Sequence, residues 1–277
     1  MSSIAVETNE SQFESDVFEQ SLSKPVVLDF WADWCAPCRM LAPIMEEAIE
    51  KRGDKIRLVK ANLDHVGKYA QEFGVQGIPA VYAIWKKELV GNFTGVIAPD
   101  QFERWLDELT FIVDRDEIRD LEASDAAAAL KRWQQLLEKH PHEIECQVGL
   151  ARTLSLTDQP AAALEILDKL ADVDLLNAEG KKLHSSLKLG DSDGAEIETL
   201  RAKLSTKPAD AELRLELAKA LAAGGEHQAA LDECLQVVEL RNELKEDARK
   251  LMLDIFEVCP DEQVVRDYRR KLSLLLY

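Results

Sequence analysis

Residues 26–45 read VVLDFWADWCAPCRMLAPIM. The first six, Val26–Trp31, form a short apolar run of β-branched and aromatic residues, which predicts a buried strand. Two thiols, Cys35 and Cys38, follow it at the opening of a helical pattern, where unpaired backbone N–H groups and the helix dipole favour an anion. Cys35, at the helix start and expected to be the more exposed, is the candidate thiolate that attacks a substrate disulfide. Cys38, one turn inward, can then resolve the mixed disulfide. Pro37 restricts the loop between them, and Pro43 interrupts the pattern and should kink the helix. Two other readings of the thiols are half of a zinc site and an inert pair. The zinc reading needs two more ligands, yet there is no second C-x-x-C, and His65, His140, His142, His184 and His227 are scattered. An acid inside the apolar strand, Asp29, faces a desolvated site that raises its pKa toward neutrality, where it can exchange a proton. Strand alternation also permits it to point outward.

Outward from this stretch, residues 57–59 and 80–85 supply similar apolar runs. Helical periodicity at residues 12–21, 40–51, 66–73 and 99–109 alternates with them, the order of an α/β domain with parallel central strands. Lys86 and Lys87 separate VYAIW from ELVGNFTG and predict a hairpin closing the sheet. This half, residues 1–110, ends near Thr110. Residues 111–122 contain the charged run DRDE and are expected to be a linker. From Ala123 to the end Ala, Leu, Glu and Lys dominate, which predicts an all-helical half over residues 123–277.

The helical half repeats itself. An offset of 67 residues carries His140–Pro141 onto Lys207–Pro208 and LARTL from Leu150 onto LAKAL from Leu217. Ala162, Ala163 and Leu164 then fall on Ala229, Ala230 and Leu231, and Leu130 and Leu137 on Ile197 and Leu204. This is close to twice the period of about 34 residues of a tetratricopeptide (TPR) repeat, a helix-turn-helix hairpin that buries its face only by stacking. Units over residues 142–171 and 209–238 resemble that pattern at Leu150, Ala151, Leu154, Ala163 and Leu167 and at Leu217, Ala218, Leu221, Ala230 and Cys234, with one degenerate unit between them. A generic helical bundle of Ala-Leu composition is the alternative. Arg152 and Lys219 occupy equivalent positions, suited either to acidic peptide tails or to solvated surface charge.

The whole chain has 277 residues, of which 46% are hydrophobic and 31% charged, enough for about two domains without disulfide struts. With 34 Lys plus Arg against 52 Asp plus Glu, the net charge is −18. Such a surface repels the phosphates of nucleic acid and anionic lipid, so neither is an expected partner. MSSIAVETNE at the start has no basic, then apolar, signal pattern, and nothing approaches the roughly 18 apolar residues of a membrane span. One close cysteine pair beside the distant Cys146, Cys234 and Cys259 suits a reducing compartment, so the expected location is the cytoplasm. The last three read as small buried apolar residues.

FWADWCAPCRMLAPIM resembles the active-site segment of the thioredoxin family, and GIPA from Gly77 resembles its cis-proline loop. The resemblance covers about residues 1–110. It implies a thioredoxin fold with a mixed sheet flanked by helices and no cofactor beyond a redox-active Cys35–Cys38 disulfide. It makes Cys35 the attacking thiol, Cys38 the resolving one, Asp29 the carboxylate that assists proton transfer at Cys38, and Lys60 the partner of Asp29. Pro79 would be cis, offering the Ile78 backbone beside Cys35 to an extended substrate. Trp31, Trp34, Ile78, Pro79 and Gly95 would form the apolar substrate rim, although Trp31 also suits core packing. Ala36 stands where thioredoxins usually have Gly, and Ala80 where Thr is common.

A thioredoxin half followed by TPR-like repeats and the ending YRRKLSLLLY resembles the chaperedoxin family across the chain. This implies a cytosolic redox-active chaperone that holds unfolding or oxidised clients, exchanges their disulfides and passes them to chaperonin and Hsp70-type ATP-dependent chaperones. A cellular thiol reductant would regenerate it. The closing segment, with Leu272, Leu274, Leu275, Leu276 and Tyr277, reads as a capping helix or as an apolar anchor for a partner. Two other functions fit the residues: a redox-independent scaffold or co-chaperone adaptor, and a dedicated disulfide reductase targeted by its helical half.

Overall fold

A computed structural model describes residues 5–240 and 243–276. The chain divides into two compact units, Met1–Asp120 and Leu121–Tyr277. Among the described residues no helix is long and apolar enough to cross a membrane.

The first unit is built on a five-stranded sheet in the order β1-β3-β2-β4-β5. Its strands are β1 (Ala5–Thr8), β2 (Val26–Trp31), β3 (Arg57–Asn62), β4 (Ala80–Trp85) and β5 (Glu88–Thr94). β1 and β2 run parallel to β3, while β4 is antiparallel to both β2 and β5. Alternation along β2 sorts its side chains between two cores. Val26, Leu28 and Phe30 pack with Phe13, Tyr69 and Tyr82. Val27 packs with Leu41 and Met45 of α1 (Ala36–Lys51) and with Phe102 and Leu106 of α3 (Pro99–Glu122). Asp29, two positions after Val27, therefore shares the face that carries α1. Lys86 and Lys87 adopt φ values of 51° and 69° and turn the chain between β4 and β5, as the expected hairpin requires.

Of residues 12–21, expected to be helical, all after Gln12 are, though as a π-helix (Glu14–Glu19) running into a 3-10 turn (Gln20–Leu22). α2 spans Gly67–Glu72. Pro43 lies inside α1, which continues past it to Lys51. The segment 111–122, expected to be a linker, is instead the second half of α3. Its charged run contains no Gly or Pro and is compatible with helix, and Ile118 within it is buried.

The second unit is all-helical: α4 (Ala126–Lys139), α5 (Ile144–Leu156), α6 (Pro160–Asp172), α7 (Ala178–Leu189), α8 (Gly194–Thr206), α9 (Ala211–Ala223), α10 (His227–Glu239), α11 (Lys245–Val258) and α12 (Glu262–Leu276). The 67-residue offset maps α4–α7 onto α8–α11. Ala151, Ala163, Ala218 and Ala230 are fully buried, letting α5 close on α6 and α9 on α10. The degenerate unit expected between the copies is not a packed hairpin. α7 packs chiefly on its own equivalent, α11, where Ser185 Oγ donates to Asp254 Oδ1 over 2.8 Å. The copies also differ inside. Trp133 of α4 lies so close to Gly149 of α5 that a Cβ there would sit 2.6 Å from the ring, so only glycine fits. The equivalent pair in the second copy is Leu200 and Glu216.

Candidate redox site

β2 ends at Trp31, and a tight turn in which the Cys35 N–H donates to the Ala32 carbonyl over 3.1 Å brings the chain to the start of α1. Cys35 is the N-cap of that helix, and its Sγ accepts the Cys38 backbone N–H at 3.1 Å. A sulfur holding negative charge is stabilised there by the donor and by the dipole. Cys35 and Cys38 are joined in a disulfide. The expected contrast in exposure is slight, since Cys35 is 4% and Cys38 3% exposed. The bonded sulfurs shield one another and pack with Ala32, Trp31 and Ile78. Position at the helix tip, rather than exposure, distinguishes Cys35. The flanking Trp34 is 68% exposed and Met40, one turn into α1, is 64% exposed. Arg39 donates to the Asp33 carbonyl over 2.6 Å and braces the turn.

The Ile78–Pro79 peptide is cis, and the Gly95 N–H donates to the Pro79 carbonyl over 2.8 Å. Trp31 and Ile78 pack against the disulfide, Pro79 follows Ile78, and Gly95 is hydrogen-bonded to Pro79 with φ 90°, a conformation that favours glycine.

Asp29, in β2 on the face that carries α1, is 1% exposed, and its Oδ1 has no hydrogen-bond partner. Burial is the largest influence on its carboxyl; Lys60 opposes it, Glu46 reinforces it, and the pKa rises to about 7. Asp29 and Lys60 are direct neighbours across β2 and β3. The ion pair made by Lys60 is nevertheless with Glu46 of α1, at 3.5 Å, and its Nζ also lies 5.1 Å from the centre of the Trp31 ring. The pairing with Asp29 implied by the resemblance is thus corrected: Lys60 acts on that carboxyl through space. Glu46 was not singled out from the sequence, although it lies on the helix of Cys38, eight positions further on.

Other expected positions fall elsewhere. Arg152 is bound by Glu122 and Glu179, so it is not free for a peptide tail, while Lys219 is exposed. Leu272 is 6% exposed within the helical core, and the partly buried Leu275 packs against that core. Leu274 is 72% exposed. The side chain of Leu276 and the whole of Tyr277 lie outside the described residues. Cys146 and Cys234 are buried and Cys259 half-buried. Burial, with Glu233 nearby, pushes the Cys234 thiol up to about 12, which leaves it inert. Among the described residues no group of three or more His, Cys, Asp or Glu side chains is arranged to hold a metal ion.

A disulfide at a helix N-terminus, a buried acid in the preceding strand and a cis-proline loop packed on the disulfide, on a mixed five-stranded sheet, define a thiol-disulfide oxidoreductase of thioredoxin fold. The thioredoxin family profile matches residues 4–108, and two tetratricopeptide-repeat profiles match residues 120–187 and 190–277. The chain is 35% identical to a thioredoxin of Acidithiobacillus ferridurans over 107 residues, 39% of this chain and 97% of that one. It is 32% identical to thioredoxin 1 of Synechococcus elongatus over 106 residues, 38% of this chain and 97% of that one. The chain belongs to the thioredoxin family and carries TPR repeats behind its thioredoxin domain, a fusion architecture like that of the chaperedoxins. Its redox group is its own disulfide, and its two domain types are those of substrate-protein exchange and of protein–protein interaction.

Proposed function

We propose that this protein is a cytoplasmic redox-active chaperone that holds unfolding or oxidised proteins, exchanges their disulfides at Cys35 and Cys38, and passes them to chaperonin and Hsp70-type chaperones. One observation carries the reading: an exposed Trp34 and a cis-proline edge flank the Cys35–Cys38 disulfide on a chain that continues into TPR repeats.

In the reduced protein the Cys35 thiolate attacks one sulfur of a client disulfide. A Cys35–client bond forms, the client S–S bond breaks, and the leaving client thiolate takes a proton from water. Asp29, as carboxylate, accepts the Cys38 proton. The Cys38 thiolate then attacks Cys35 Sγ, re-forming the intramolecular disulfide and releasing the second client thiolate. Two electrons pass to the client, and a cellular thiol reductant returns them. Trp31, Trp34, Ile78, Pro79 and Gly95 line the client groove in this reading, and Leu274 is the remaining described apolar contact for a partner at the C-terminus. Residues 1–110 serve as the redox domain and residues 123–277 as the adaptor.

The test is capture in cells under heat or oxidative stress with Cys38→Ser, which stalls the mixed disulfide. A broad set of trapped clients, with chaperonin and Hsp70 proteins co-purifying non-covalently, is expected. One dominant covalent partner would instead indicate a dedicated reductase. Unchanged client delivery by the Cys35→Ser/Cys38→Ser variant would indicate a redox-independent scaffold.

A further inference from the structure

Lys60 is the cation nearest to the buried acid in the sheet, yet its ammonium is shared among three groups. Asp29 is its direct neighbour in β2, the Trp31 ring lies 5.1 Å from Nζ, and Glu46 Oε1 lies 3.5 Å from it. The Lys60 side chain is 18% exposed, so water does little to screen this choice, whereas Glu46 is 46% exposed and keeps its own charge hydrated. A carboxylate on the α1 side therefore draws the ammonium, while Asp29 Oδ1 is left with no hydrogen-bond partner. We propose that Glu46 is a positioning residue for proton exchange at Asp29: by holding Lys60 toward α1 it keeps that cation from neutralising the buried carboxylate, and so governs how readily Asp29 gives up its proton.

The surroundings of Asp29 leave few other charges to do this. β3 places Lys60 and β4 the apolar Val81 opposite Asp29, α1 carries Glu46, and these two charged groups are the ones that act on the carboxyl. The signs agree with this arrangement, since Lys60 lowers and Glu46 raises the proton affinity that burial has already lifted. At 3.5 Å, with its carboxylate 46% exposed, the Glu46–Lys60 contact itself contributes little stability, so its effect lies at Asp29. The proposal rests on the reading of Asp29 as the proton acceptor for Cys38.

The test uses the oxidised full-length protein, in which no thiol titrates at the site, and follows the Asp29 carboxyl carbon by NMR against pH. Glu46→Gln is expected to lower the Asp29 midpoint by about half a pH unit, the size of one like charge removed several ångströms away at a partly screened site. Glu46→Asp, which keeps the charge, should restore most of it. Lys60→Met should raise the midpoint, and Glu46→Gln added to Lys60→Met should then produce a smaller shift than it does alone. The pH dependence of mixed-disulfide resolution, measured on the reduced protein with a model disulfide, should move with the midpoint. An Asp29 midpoint unchanged by Glu46→Gln overturns the proposal. An undiminished shift in the Lys60→Met background overturns the part played by Lys60. A midpoint that falls while the resolution rate keeps its pH dependence overturns the role of Asp29 in the reaction, and with it the catalytic meaning of Glu46.

Discussion

In the thioredoxin unit Asp29 is 1% exposed and one of its carboxyl oxygens has no partner, whereas in the helical unit the nearly buried Glu122 is saturated. Glu122 receives the Trp133 Nε1–H at 2.7 Å, two Arg152 N–H bonds at 2.7 Å each and the Thr153 hydroxyl at 3.0 Å. Burial alone would raise its pKa, but these donors outweigh it, and the carboxyl is held below its ordinary value. The contrast extends beyond these two acids. Among the described residues, every buried side-chain polar atom without a partner (on Thr8, Asp29, Trp31, Arg57 and Trp85) lies in the first unit. The cysteines differ in the same sense. Cys35 Sγ accepts a backbone N–H at a helix start, while Cys234 is pushed up to about 12 by apolar burial. The first unit leaves the desolvation of its buried acid uncompensated, whereas the second compensates it with donors.

Five experiments break or sharpen this contrast. The largest effect is expected at the thiols: Cys35→Ser should lower the rate of model-disulfide reduction by at least about 1,000-fold, while Cys234→Ser leaves it unchanged. Iodoacetamide footprinting of the reduced native protein at pH 8 should label Cys35 first and Cys234 only on unfolding, and equal labelling would erase the distinction.

Asp29 and Glu122 should respond to pH with opposite sign. With a folded pKa of about 7 against an ordinary value of 3.8, Asp29 binds a proton in the folded state that the unfolded chain has released. It therefore costs stability increasingly from about pH 4 to pH 7. Asp29→Asn should stabilise the first unit at pH 8 by up to about 4 kcal/mol, less the cost of burying an amide, with no gain near pH 4. Hydrogen exchange at the β2 amides reads this unit by itself. Glu122 is the reverse case, because its lowered pKa supplies stability above the unfolded pKa that is lost as pH falls through the folded one. Glu122→Gln should cost the helical unit about 2 to 3 kcal/mol by exchange at the α5 amides, leaving disulfide reduction untouched.

The smallest effect separates the two copies of the repeat. Gly149→Ala forces a Cβ to within 2.6 Å of the Trp133 ring and should cost about 1 to 3 kcal/mol. Glu216→Ala, at the equivalent exposed position, should change stability by less than about 0.5 kcal/mol. Equal costs would mean that the copies pack alike.

Much of this molecule was legible before its coordinates. β2 and β4 coincide with the apolar runs read from the sequence, the Lys86–Lys87 turn closes the expected hairpin, and the 67-residue offset reproduces the succession of α4–α7 in α8–α11. β1 is not legible in the sequence, since four residues at a sheet edge carry too little alternation to stand out. The charge of the second half of α3 suggests a boundary in sequence, yet charged residues propagate a helix readily. The opening of the α7–α8 unit was illegible because α7 and α11, which pack together, are separated by more than fifty residues of chain.

By itself the order of residues determined the class of the site, since two thiols at a strand-to-helix junction, an acid in the preceding apolar strand and an Ile-Pro loop are local patterns. Tertiary structure alone decided which charges meet: that Lys60 pairs with Glu46 while Asp29 lacks a partner for one oxygen, that Arg152 is held by Glu122 and Glu179, and that Leu272 is buried in the helical core. The reason is physical. Periodicity records which side of an element is apolar within a few residues, whereas desolvation and Coulomb interaction depend on distances between segments far apart in the chain.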